Sequence, residues 1–295
     1  SYTSNVASPL VFNFHGLTSD ANSQMWYGDF RGIADTANFI IVHPQGLLNN
    51  LGQTHWNVGQ SAGIDDVGFT ETLLDLLSTQ YNINLDRVYS TGMSNGGYMS
   101  YHLACTLNDK IAAIASVTGA MSQYTQIICN PVHPTPVLEI HGTADAIVSF
   151  NAILSGLQYW YNYNNCNSIA DTTSIPDINF FDGSTVEHIV YNGGDNGVTT
   201  ELFKIDGGMH TWPGSFFGST GTNYDIDASV EIWKFFSRYD INGLIGNNTL
   251  ITDVTIDDND VVKVIDILGR KINEKRNTLL FYIYDDGTVE KKIII

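Results

Sequence analysis

Five short apolar runs, rich in Val and Ile and bounded by Gly or Pro, limit most strongly what this chain can fold into: PLVFNF (9–14), FIIVHP (39–44), RVYSTG (87–92), IAAIASVTG (111–119) and PVLEIHG (136–142). Runs of this length and texture are strands buried on both faces, which calls for helices on both sides of a mostly parallel sheet. The stretches between them supply helices. Residues 68–80 place Leu73, Leu74, Leu76 and Leu77 on one broad helical face, 96–107 open a helix, and 227–239 form a late one. TVEHIVY (185–191) and TTELFKI (199–205), separated by the turn-rich NGGDNGV, read as a hairpin or two neighbouring strands. The fold class predicted is therefore α/β, a mostly parallel central sheet flanked by helices.

From about residue 245 the texture changes to a Gly/Asn-rich stretch followed by strand-like sequence without helical periodicity. Seven of the 13 Lys and Arg residues lie beyond position 250, which argues for a separate small module. The division expected is a large domain over 1–242, a linker over 243–252 and a β-rich C-terminal segment over 253–295. A formal charge of −18 repels phosphate backbones and anionic lipid surfaces, so nucleic acid is excluded as an expected partner. No apolar run reaches the roughly 20 residues that span a bilayer, and SYTSNVASPL lacks the pattern of a signal peptide. The reading is of a soluble chain whose export leader, if it has one, lies outside this sequence. Three cysteines, Cys105, Cys129 and Cys166, permit at most one internal disulfide; their count leaves one disulfide and buried free thiols equally open.

Gly92-Met93-Ser94-Asn95-Gly96 falls between a predicted buried strand and a predicted helix. In that setting G-x-S-x-G is a nucleophile elbow, a sharp turn that lifts the serine hydroxyl out of the sheet and needs small neighbours. The plainer alternative is a phosphate-binding turn, but no G-x-G-x-x-G or Walker lysine is present. A nucleophilic serine needs a base, and the base an orienting carboxylate. Asp145 follows the strand PVLEI, and His210 lies in the glycine-bounded KIDGGMHTWPG. Backbone N–H groups of Leu17, after the H-G of HGLTSDA, and of Asn95 are the candidate oxyanion donors. His15 and His141 read as structural, and His43, His55, His102, His133 and His188 lack the paired spacing of a zinc site. Neither a metal nor a cofactor is called for. The long segment 45–66 reads as a site-lining loop braced by Asp65 and Asp66. Trp56 and Trp212 are candidates for stacking on substrate, with a buried role as the alternative.

PLVFNFHGLTSDA, IDDVGF, STGMSNGGYMSYHLAC, HGTADAIV and GGMHTWPG occur in order over about 10–240. Together they resemble the esterase family of feruloyl and acetylxylan esterases and polyhydroxybutyrate depolymerase-like proteins. The resemblance implies an α/β-hydrolase fold, a triad of Ser94, Asp145 and His210, secretion, and no cofactor. Relatives carry a further strand pair ahead of the first central strand, so the sheet here is expected to be smaller or truncated. They also often carry a cysteine near Gly193 or Gly194 paired with one resembling Cys166; its lack implies a Cys105–Cys129 disulfide. Asn95 stands where cutinase-like polyester hydrolases often have methionine, which counts against polyester. The tail, VVKVIDILGRKINEKRNTLLFYIYDDGTVEKKIII, resembles the C-terminal sorting domain of the type nine secretion system, implying bacterial secretion machinery as a partner and a secreted or cell-surface location. Asp257, Asp258 and Asp260 lack the glycine and glutamate of an EF-hand and read as a solvated turn rather than a calcium site, and Asn247-Asn248-Thr249 fits a sequon. The expected activity is a secreted serine esterase acting on acetyl or feruloyl esters of polysaccharide. Peptidase and polyhydroxyalkanoate or polyester hydrolysis are enzymatic alternatives, and a polysaccharide-binding module on a hydrolase fold is the non-enzymatic one.

Overall fold

The computed structural model describes residues 2–59, 63–246, 261–266, 279–284 and 289–293. The chain divides into two compact units, Ser1–Asn248 and Thr249–Ile295. The first runs β1 (Ser8–Phe14), α1 (Ala21–Tyr27), α2 (Arg31–Ala37), β2 (Ile40–Val42), α3 (Asp66–Gln80), β3 (Ile83–Met93), α4 (Asn95–Thr106), β4 (Ala113–Val117), α5 (Gln123–Ile128), β5 (Val137–Gly142), α6 (Phe150–Tyr163), β6 (Asp171–Ser174), β7 (Thr185–Tyr191), β8 (Thr200–Asp206) and α7 (Ala228–Phe236), then the pair β9 (Tyr239–Asp240) and β10 (Gly243–Leu244).

Eight strands form one sheet in the order β2-β1-β3-β4-β5-β8-β7-β6. The first six are parallel, while β7 and β6 turn back antiparallel at one end. At the other end β2, not β1, is the edge strand, so the first central strand is covered on both sides. Four of the five apolar runs are largely buried because both faces of the sheet are packed, while the edge strand β2 is only partly buried. Successive side chains of a strand point to opposite faces. Val11, Tyr89, Ala115 and Leu138 accordingly join one core with Ile232 and Phe236 of α7. Leu10, Phe12, Val88, Ile114 and Val137 join another with Met99 and Leu103 of α4 and Trp160 of α6.

Helix α3 begins at Asp66 under a cap in which Asp65 Oδ1 accepts from Gly68 N at 2.8 Å. Leu74 is buried and Leu73 and Leu77 are partly so, but Leu76 is 52% exposed. At about 100° per residue it lies at the margin of the arc assigned to the apolar face, beyond the reach of the core. Helices α1, α2, α5 and α6 and strand β6 add to the elements read from sequence. Cys105 and Cys129 form a disulfide that joins α4 to the end of α5, and Cys166 is a free thiol. A Cβ placed on Gly194 would lie 2.9 Å from Cys166 Sγ, so position 194 is where a partner for that thiol would stand.

The expected boundary at 242/243 is displaced. Gly243 and Leu244 pair antiparallel with β9, and Ile241 N donates to Asp86 O at 2.8 Å, so this stretch belongs to the first unit rather than to a linker. Residues 247–252 of the expected linker, with the sequon at 247–249, and Asp257, Asp258 and Asp260 lie outside the described residues. In the second unit β11 (Val261–Asp266), β12 (Leu279–Tyr284) and β13 (Val289–Ile293) make a three-stranded antiparallel sheet.

Candidate active site

Ser94 occupies the single residue between β3 and α4, with φ 52° and ψ −115°. That positive φ turns the chain sharply enough for a strand to feed straight into a helix. The turn is possible only because both flanking glycines touch other backbone. A Cβ on Gly92 would lie 2.6 Å from Phe14 O, and one on Gly96 would lie 2.6 Å from Phe14 C. Ser94 N donates to Val117 O at 2.8 Å, which ties the elbow to the end of β4, and the serine itself is half-buried. The first-turn N–H groups of α4, beginning with Asn95, have no acceptor within the helix and bring the positive end of its dipole to this point. Gly16, which precedes Leu17, lies beside the elbow on the segment after β1, where a Cβ on it would be 3.6 Å from Met93 O and Ser94 Cβ; the segment's own hydrogen bonds use the amides of Thr18, to Thr54 O, and Ser19, to Gly16 O. His15 anchors that segment: it is fully buried, with Nδ1 2.8 Å from Gly16 O and Nε2 accepting from Gly46 N at 3.0 Å.

Because β3, β4, β5 and β8 are adjacent and parallel, the residues after β3, β5 and β8 emerge at one edge of the sheet. Ser94, Asp145 and His210 hold those three positions. Asp145 is buried; its Oδ1 accepts from Ile147 N at 2.8 Å and Val148 N at 2.9 Å, and its Oδ2 accepts from His210 Nδ1 at 2.7 Å. With Nδ1–H given to the carboxylate, Nε2 of the neutral ring carries the lone pair. The two loops are tied by Ala144 N donating to Gly208 O at 2.9 Å. Gly142 makes that approach possible, since a Cβ there would run into the Gly208 carbonyl. Tyr27 Oη accepts from Trp212 N at 3.2 Å, fixing the far side of the His210 loop. No hydrogen bond joins Ser94 Oγ to His210 among the described residues; in resting sites such contacts are often long and tighten around substrate.

Trp56 and Trp212 are corrections to the sequence reading, since each is only 1% exposed. Trp56 Nε1 donates to His15 O at 3.0 Å, and the ring packs edge-on against Phe14, so it braces the segment after β1 from inside. Its backbone is clamped by Asn95, whose Oδ1 accepts from Trp56 N at 2.6 Å and whose Nδ2 donates to Trp56 O at 3.0 Å. Trp212 Nε1 donates to Ser229 Oγ at 3.1 Å on α7. Both indoles satisfy their one donor internally and are almost fully buried. Asp66 Oδ2 accepts from Asn57 N at 2.6 Å, so this acid braces the 45–66 loop.

The aromatic side chains that are exposed lie elsewhere. A half-open cavity of about 470 Å³ beside the His210 loop is lined by Trp26, Tyr27, Trp212, Phe216 and Phe217, among others, and by none of Ser94, Asp145 or His210. Trp26 is 45% and Phe217 57% exposed, their rings edge-to-face at 6.5 Å. The residues WYGDF and SFFG that supply them show no periodicity that sequence reasoning could have used. Among the described residues no group of three or more His, Cys, Asp or Glu is arranged to hold a metal.

A parallel sheet with a serine elbow after one strand, and an acid and a histidine after two later ones, defines an α/β hydrolase. The comparisons agree: the chain belongs to the phospholipase/carboxylesterase family, whose profile matches residues 3–175. It is 29% identical over 254 residues to a bifunctional acetylxylan esterase/xylanase of Neocallimastix patriciarum, covering 83% of this chain and 34% of that one. It is 29% identical over 229 residues to feruloyl esterase B of Piromyces equi, covering 71% and 40%. Poly(3-hydroxyalkanoate) depolymerase C of Paucimonas lemoignei is 24% identical over 279 residues, covering 81% and 64%. The chain thus spans well under half the length of the first two. Among solved structures, acetyl xylan esterase from Aspergillus awamori shares the fold with a TM-score of 0.60 at 12% identity, over 78% of this chain and 89% of that one.

Proposed function

We propose that this protein is a secreted serine esterase in which Ser94, His210 and Asp145 form a catalytic triad and hydrolyse acetyl or feruloyl esters carried on polysaccharide. The observation that carries this reading is the 2.7 Å hydrogen bond between His210 and Asp145 at the sheet edge that also bears the Ser94 elbow. In the proposed cycle Ser94 Oγ attacks the ester carbonyl while Nε2 of His210 takes the hydroxyl proton. The amides of Leu17 and Asn95 stabilise the tetrahedral oxyanion, and the alcohol leaves with the proton from Nε2. Water, deprotonated by the same nitrogen, then releases the acid and restores Ser94. Asp145 holds the imidazole in the required tautomer and stabilises its charged form.

Substrate preference rests on the acetylxylan and feruloyl esterases among the relatives. Secretion is supported by the disulfide, which belongs to an oxidising compartment, and by the tail's likeness to a sorting domain read by bacterial export machinery. The proposed organisation is an esterase domain followed by a sorting segment. One observation favours a second substrate, a polyhydroxyalkanoate or related polyester: Leu17, Leu47, Leu48 and Phe217 are all about half-exposed or more on the segments after β1, after β2 and after His210.

Turnover of p-nitrophenyl acetate by wild type, falling by about 10⁴-fold or more in Ser94→Ala, tests the mechanism. Equal rates for the two proteins leave only the binding-module reading. Acetylated xylan, methyl ferulate and short hydroxybutyrate oligomers compared by kcat/KM decide the substrate.

A further inference from the structure

Directly beneath the candidate acid lies a second carboxylate and imidazole that the proposed cycle does not use. Glu139 and His141 sit on β5, both at 0% exposure and pointing to the same face of the sheet. Glu139 Oε2 accepts from Tyr101 Oη of α4 at 3.0 Å, and Oε1 lies 2.9 Å from His141 Nδ1. On its other side His141 Nε2 lies 2.8 Å from Val148 O and 3.5 Å from Asp145 Oδ2. A carbonyl oxygen is only an acceptor, so Nε2 must carry hydrogen; a carboxylate facing Nδ1 then calls for a hydrogen there as well. Asp145 Oδ2 therefore stands between two imidazoles, His141 and His210, while its Oδ1 is filled by two backbone amides.

We infer that His141 is held as an imidazolium between Glu139 and the Asp145–Val148 turn, and that it is a positioning residue for the acid that orients His210; this rests on the esterase reading above. The other groups facing it fit that charge. From α6 comes the Phe150 ring, edge-on at 6.2 Å. From α4 come the neutral phenols Tyr98 and Tyr101, the second buried and held well above its ordinary pKa first by desolvation and then by Glu139. Across the sheet, Lys204 of β8 is neutralised by Glu187 at 2.9 Å. Burial alone lowers the pKa of His141, but the hydrogen bond and charge of Glu139, the Val148 carbonyl and Asp145 together raise it above its ordinary value. Burial raises Glu139 as well, yet each of its oxygens accepts a hydrogen bond, and two carboxylates flanking one ring favour the proton on the ring. The pair thus fixes the acid turn from inside the core and places a positive charge next to the carboxylate that His210 uses.

Two measurements test this. In ¹H–¹⁵N spectra of the wild-type protein at pH 7.5, the ring assigned to His141 through its contact with Phe150 should show both nitrogens protonated; a singly protonated ring overturns the proposal. In the second, Glu139→Gln keeps the shape and the Nε2–H while removing the charge, and should move the low-pH limb of kcat/KM for p-nitrophenyl acetate upward by half a pH unit or more. His141→Gln, alone and with Glu139→Gln, should lower kcat tenfold or more with KM within twofold. Folded variants with wild-type kcat and an unmoved limb overturn the proposal, and if they do not fold the spectra decide. A wild type that turns over no ester defeats the esterase reading but leaves the protonation measurement intact.

Discussion

Ser94 holds a backbone conformation, φ 52° and ψ −115°, that costs a residue with a Cβ about 1–3 kcal/mol. Ser94→Gly removes that strain, so we expect it to raise the unfolding free energy by about 1 kcal/mol while abolishing esterase activity, measured by urea denaturation beside an ester assay. His43 gives the fold a pH dependence. Burial is the largest influence on it, with Asp29 favouring and Arg31 opposing its charged form, and together they bring its pKa down to about 4. Its Nε2 lies 3.4 Å from the Asn13 amide Nδ2, which donates to an unprotonated ring. An unfolded chain takes up this proton near pH 6.5, the folded one only near 4. Stability is therefore unaffected by His43 above about 6.5 and falls as pH drops from there toward 4, by at most about 3 kcal/mol. His43→Gln should flatten that part of the profile, read as urea midpoints at pH 7.5, 5.5 and 4.5.

At the scale of elements, the disulfide closes a loop of 24 residues between α4 and the end of α5. A loop of that size contributes about 3 kcal/mol by restricting the unfolded chain, so Cys129→Ser, or reduction, should lower the unfolding free energy by that order. The same region shows what was legible in the sequence and why the rest was not. The interior strands β1, β3, β4 and β5 are legible because a strand covered on both faces is largely apolar. Strand β6 is not, because DTTS is exposed at every residue and lies at a sheet edge paired with β7. Helix α6 escaped notice because FNAILSGLQYWYNY mixes tyrosine, asparagine and glycine into its apolar stripe. The serine, aspartate and histidine could be picked out because each follows a recognisable strand. Whether a tryptophan lines a cleft or fills a core depends on neighbours distant in sequence, so the sequence alone leaves Trp56 and Trp212 open between the two.

For the whole molecule, the division at Asn248 predicts that a chain ending there folds and keeps its ester kcat, with a thermal midpoint within a few degrees of the full chain. Loss of folding in that truncation would mean that the C-terminal unit is part of the hydrolase. The parallel order β3-β4-β5-β8 is what lets one rim collect groups from residues 94, 145 and 210, since every crossover returns the chain to the same end of the sheet. The contact between Gly142 and the Gly208 carbonyl then acquires a meaning for engineering. Neither of the two segments it joins can be lengthened, shortened or transplanted alone without dislodging the other, so any chimera meant to borrow the specificity of a relative must exchange them as a matched pair.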